Sequence, residues 1–136
     1  MPKVLVSDEL SETAVQIFRD RGVEVDYLPK LGKDKDALAA VIDQYDGLAI
    51  RSATKATEKL LEKATRLKVI GRAGIGVDNV DIPAASKKGV SVMNTPFGNS
   101  ITTAEHAIAM MFAIARQIPE ANASTHAGKW EKSRFM

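Results

Sequence analysis

Apolar residues fall along the chain in short runs separated by stretches of helical spacing. Lys3-Val4-Leu5-Val6 reads as a buried strand. Ser11-Glu12 opens an amphipathic stretch with Ala14, Val15, Ile17 and Phe18 on one face, which Gly22 stops. Residues 23–27 alternate as a strand does. Pro29, Gly32 and Lys33 break that pattern before a second helix through Leu38, Val41 and Ile42. A third strand is expected at 47–50, a third helix around Leu60, Leu61 and Ala64, a fourth strand at 67–71, a short helix at 82–87 and a fifth strand at 90–93. Five strands with four helical crossovers predict an α/β fold built on a doubly wound parallel sheet, because parallel neighbours need crossover connections.

The last third has a different pattern. Residues 94–100 read as a loop, after which Thr102-x-x-Glu105 has the form of a capping box opening a long helix, 102–117. That helix is apolar nearly all round, from Ile101 and Ala104 through Met110, Met111, Phe112 and Ile114. A helix with no polar face must be covered on every side, and a sheet domain ending near Met93 covers one side only. A second domain or a second chain is therefore expected against it, with a homo-oligomer through 102–117 as one outcome. A shorter helix is expected at 120–127, after Pro119. The expected organisation is one domain over 1–98, then a hinge, a connecting helix and the opening of a second, truncated domain over 99–136.

Composition narrows the function classes. The 136 residues include no cysteine, which removes thiolate nucleophiles, Fe–S clusters and disulfides and fits a reducing compartment. Nineteen basic against 17 acidic side chains leave a formal charge of +2, giving no sequence-wide electrostatic case for nucleic acid or membrane. The N-terminus lacks the apolar stretch of a signal peptide, and the most apolar segment is shorter than the roughly 20 residues that span a bilayer. A cytoplasmic location is expected. His106 is expected as a packed or hydrogen-bonded helical residue and His126 as a surface one, and two histidines without zinc spacing predict no metal site.

In open parallel sheets ligands bind beyond the carboxyl ends of the strands. There stand Ser7-Asp8-Glu9, Leu28-Pro29, Arg51-Ser52, Arg72-Ala73-Gly74-Ile75-Gly76 and Asn94-Thr95-Pro96. Arg51 and Arg72, on adjacent strand ends, predict a fork for a doubly charged anion. Gly74-x-Gly76 invites a dinucleotide reading, but Asn79 stands where the third glycine belongs, no long helix follows directly, and the preceding strand is the fourth. A nest of backbone N–H groups facing a carboxylate is the better reading. Asp8 and Glu9 resemble the acidic pair of a phosphorelay receiver, but Arg51 replaces the phospho-accepting aspartate and Asn94 the lysine. They are read instead as favourable charges near a helix N-terminus.

The blocks 47–55, 69–81, 92–100 and Ala104-Glu105-His106, with Ala115-Arg116-Gln117-Ile118-Pro119 and Gly128-Lys129-Trp130-Glu131, resemble the D-isomer-specific 2-hydroxyacid dehydrogenases over essentially the whole chain. The likeness is closest to the branch acting on 3-phosphoglycerate. It implies a flavodoxin-like substrate-binding domain, followed by a helix that crosses into a Rossmann domain and lies at a dimer interface. On matching positions it implies Arg51 and Arg72 at the substrate phosphate, and the N–H groups of Ala73, Gly74 and Ile75 at the carboxylate. Asn99 would frame the site near the hinge. The resemblance also implies that Ile75 would approach the phosphates of NAD and that Lys132 and Arg134 would reach a neighbouring subunit's substrate phosphate. It implies too that the family's true fingerprint and its proton-exchanging His–Glu pair belong downstream of the position matching Met136, so the chain alone is expected to be inactive. The alternatives are another 2-hydroxyacid substrate, or a stand-alone anion-binding regulatory module.

Overall fold

The computed structural model describes all residues, Met1–Met136, which divide into two compact units, Met1–Gly98 and Asn99–Met136. The first unit holds strands β1 (Lys3–Val6), β2 (Glu24–Tyr27), β3 (Gly47–Ile50), β4 (Val69–Arg72) and β5 (Ser91–Asn94). They form one parallel sheet in the order β2-β1-β3-β4-β5. Helices α1 (Glu12–Asp20), α2 (Lys35–Val41), α3 (Glu58–Lys63) and α4 (Ile82–Lys87) make the crossovers. This is the flavodoxin-like strand order, whose ligand crevice lies at the carboxyl ends of the strands.

Each of these four helices begins where a side chain can take an orphan backbone N–H. Ser11 accepts from Ala14, Asp34 from Ala37, Thr57 from Leu60 and Asp81 from Ala84. β3 is buried along its whole length, and its Leu48 and Ile50, with Leu5 and Ile70 of the adjacent strands and Leu38, Ile42 and Leu61 from the helical side, are the largest fully buried core side chains. At the amino ends of the strands, Lys3 Nζ lies 3.0 Å from both Glu24 and Asp26, and the Tyr45 hydroxyl donates to Asp26 at 2.8 Å. That cluster ties β1, β2 and the entry to β3 together on the rim away from the crevice.

Strand bounds shift by one or two residues, and β2, β4 and β5 begin later than expected. β4 and β5 each run one residue further, so Arg72 and Asn94 are paired strand termini, with Arg72 also in register with Ile50. Their backbones hydrogen-bond onward because the neighbouring strands continue beside them; the apolar runs stop one residue earlier.

The second unit contains α5 (Ser100–Ala115), α6 (Ile118–His126) and a 3₁₀ turn at Lys132–Phe135. α5 opens two residues before Thr102, so no capping box forms. Asn99 is the N-cap, its carbonyl accepting from Thr103 at 2.9 Å without help from its side chain. α5 packs on α6, yet none of its residues is buried, and His106 is exposed rather than packed. No helix is long and apolar enough to cross a membrane.

Candidate functional site

The loop after β4 is built around Arg72. A Cβ on Gly74 would collide with the Arg72 guanidinium, so only glycine lets that group lie flat against the loop. The Arg72 Nε is buried there without a hydrogen-bond partner. β5 pins the loop from the other side: Thr95 N–H donates to Gly74 O at 3.0 Å, and Asn94 Nδ2 donates to Ile75 O at 2.8 Å.

The backbone donors left over in this turn differ from those expected. Ala73 N–H donates to Ile50 O at 2.9 Å and Gly74 N–H to Arg72 O at 3.0 Å, so neither is available to a ligand. The N–H groups of Ile75, Gly76 and Val77 have no protein partner. Ala73 is engaged because β3 still has a carbonyl to offer opposite it, a consequence of register that residue types alone do not reveal.

The two arginines share the rim without forming one fork. Arg72 ends β4 in register with Ile50, while Arg51 follows Ile50 just outside β3. Arg51 Nη1 donates to Glu9 O at 3.4 Å. It lines a cavity of about 500 Å³ with Asp8, Glu9, Tyr27, Pro29, Lys30, Lys33, Ser52 and Ala53, a wall that does not include Arg72. Neither guanidinium pairs with a carboxylate; the ion pairs of the chain lie elsewhere. Lys30 and Lys33 were not among the expected site residues. The available signal was their position just past β2, at the same carboxyl rim.

Asp8 does not act as a charge beside α1, whose own first-turn acid is Glu12. Only 2% exposed, it accepts from Arg51 N–H at 2.7 Å, Thr54 N–H at 3.1 Å and Thr54 Oγ1 at 2.7 Å. A side chain at Gly32 would overlap Asp8 Oδ1 and Thr54 Oγ1, so the turn after β2 closes over this pair. From the opposite side Asn79 Nδ2 donates to Arg51 O and Thr54 O, both at 2.7 Å.

These residues do not by themselves fit a dinucleotide. The third glycine position is Asn79, already bound to two carbonyls, and the helix that follows begins behind Asp81, whose carboxylate occupies the N-terminus a pyrophosphate would need. In the second unit Asn99 stands at the head of α5, while Arg134 pairs with Glu131 at 3.3 Å and lies over the Phe135 ring; Lys132 begins the same turn.

Comparison with known proteins gives one consistent family. A family model described as D-isomer specific 2-hydroxyacid dehydrogenase, catalytic domain, matches residues 4–130. The D-3-phosphoglycerate dehydrogenase of Synechocystis sp. is 46% identical over 136 residues, which cover 100% of this chain and 24% of that protein. The Homo sapiens protein of the same name is 48% identical over 134 residues, 98% of this chain and 25% of its own length. Among solved structures, the NAD⁺-bound 3-phosphoglycerate dehydrogenase of Entamoeba histolytica superimposes with a TM-score of 0.71 at 34% identity, over 82% of this chain and 38% of that one. The chain thus spans about a quarter of the length of the curated relatives it matches.

Proposed function

The chain belongs to the D-isomer specific 2-hydroxyacid dehydrogenase family, and on that footing we propose that it is the substrate-binding portion of an NAD-dependent D-3-phosphoglycerate dehydrogenase. The reaction is oxidation of 3-phosphoglycerate to 3-phosphohydroxypyruvate, the entry to serine biosynthesis. The observation that carries the reading is the Arg72 guanidinium laid on the Gly74–Gly76 turn, its Nε buried and unpartnered beside the free N–H groups of Ile75, Gly76 and Val77. Oriented donors of this kind suit a carboxylate, and a fixed guanidinium suits the phosphate of the same small molecule.

In this reading Ile75 leads the carboxylate contacts, Ala73 and Gly74 shape the loop, and Arg51 and Arg72 meet the phosphate from two sides. The cationic wall of Lys30, Lys33 and Arg51 adds attraction for a ligand with several negative charges. Asn99 is kept as a substrate contact, and Lys132 and Arg134 as contacts to a neighbouring subunit's substrate, on the resemblance alone. NAD is held by the remainder of the enzyme, with Ile75 at the edge of its phosphates. α5 supplies the surface for a homo-oligomer, since its apolar residues are exposed on several sides.

The test is Arg72→Ala in a titration against 3-phosphoglycerate and D-glycerate. Affinity for 3-phosphoglycerate is expected to fall about 10- to 100-fold, the worth of a charge-assisted contact, with a smaller change for glycerate. Equal losses for the two ligands would refute a phosphate contact. Another 2-hydroxy acid as substrate would show as tighter binding of an unphosphorylated acid.

A further inference from the structure

We propose that Asp8 and Asn79 are the positioning residues of this anion site: they grip the backbone of residues 51–54 from two sides and so set where the Arg51 guanidinium stands. The inference rests on the substrate-site reading above. It goes beyond that reading by assigning a task to two residues that touch no ligand in it.

Both grips close on the same short segment. Asp8 Oδ2 takes the N–H groups of Arg51 and Thr54, while Oδ1 takes the Thr54 hydroxyl. Asn79 Nδ2 bridges the carbonyls of the same two residues. Flipping the amide would set an oxygen against two carbonyl oxygens, so the hydrogen bonds fix its orientation. Asn79 O also accepts from Ala56 N–H at 2.8 Å, and Ala56 bridges to Val80 in parallel fashion. The segment carrying Arg51 is thereby fastened to the stretch that leaves the Gly74–Gly76 turn. One asparagine links the two halves of the site, and a preorganised guanidinium loses less freedom when it binds.

A buried carboxylate beside an anion site is otherwise a liability, since its charge opposes the ligand. That gives the proposal a signature separating it from an electrostatic role. Asp8→Ala removes a negative charge, which alone would tighten anion binding; a positioning role predicts weakening instead, by about tenfold. Asp8→Asn keeps an oxygen for the two N–H groups, and its amide can donate to Thr54 Oγ1, whose proton then turns to Ser7 Oγ at 2.8 Å. Binding by Asp8→Asn is expected within about threefold of the parent chain.

The deciding experiment is a pair of double-mutant cycles on the full chain, with 3-phosphoglycerate binding followed by calorimetry. The cycles are Asp8→Ala with Arg51→Ala, and Asn79→Ala with Arg51→Ala. Each single variant is expected to weaken binding, while Asp8→Ala and Asn79→Ala cost no further affinity once Arg51 is alanine. If Asp8→Ala fails to give a folded circular dichroism spectrum, the Asn79 cycle and Asp8→Asn decide alone. Additive losses, or unchanged affinity in the single Asp8 and Asn79 variants while Arg51→Ala weakens binding, overturn this inference and leave the substrate site standing. Absence of any 3-phosphoglycerate binding by the parent chain overturns the substrate-site reading and this inference together.

Discussion

Gly74 and Arg72 depend on each other. Because a Cβ at Gly74 would overlap the guanidinium, Gly74→Ala is expected to push Arg72 off the loop and weaken 3-phosphoglycerate binding about tenfold or more. Its thermal midpoint should fall as well, because Gly74 has a φ of +158° that alanine rarely adopts; calorimetry alongside differential scanning checks both. At the far rim, Asp26 lies below its ordinary value of 3.8, first through the Tyr45 hydroxyl and then through Lys3. Lys3 is pushed up to about 12, chiefly by Asp26, and Tyr45 to about 12, chiefly by burial. A depressed carboxylate stabilises the fold above its unfolded pKa, and that contribution is lost as pH falls through the folded value, here below about pH 4. Tyr45→Phe should therefore raise the Asp26 pKa toward 3.8 and make acid destabilisation shallower; an unmoved carboxyl resonance in an NMR titration would count against it. Residue type and strand-end position made Arg51, Arg72 and the glycine turn legible in the sequence. Asp8 and Asn79 were not, because the segment they hold lies 43–46 residues from Asp8 and 25–28 from Asn79. Sequence spacing carries no trace of such bonds.

Elements were legible to the extent that burial patterns them. The runs that enter the core predicted all five strands and four crossovers, and β3, buried throughout, was the plainest. Leu48, 1% exposed in that strand, makes a direct test: Leu48→Ala should cost about 2–5 kcal/mol in denaturant unfolding. Ends were less legible, since hydrogen bonds to a neighbouring strand, not apolarity, decide where β4 and β5 stop. The start of α5 was misplaced for a related reason. Thr102 and Glu105 have capping-box identities, but the backbone of Asn99 already begins the helix.

At the scale of the whole molecule, the exposed apolar helix and the partial share of the relatives' length carry the argument. Ile101, Met111, Phe112 and Ile114 are all more than 60% exposed on α5, more apolar surface than a lone helix keeps in water at no cost. Sedimentation should show concentration-dependent self-association; a clean monomer at every concentration would contradict the oligomer reading. The chain covers 24–25% of its curated relatives and its Gly74–Gly76 turn does not fit a dinucleotide, so under the proposed reading it should by itself give no NADH absorbance with 3-phosphoglycerate and NAD. The central claim, that the turn after β4 receives the substrate's carboxylate, is tested most directly by titrating ¹⁵N-labelled chain with 3-phosphoglycerate and following the backbone amides by NMR. The account predicts the largest saturable shifts at Ile75, Gly76 and Val77. Silent amides there, with shifts confined to the lysine-lined groove between α2 and α3, would contradict it.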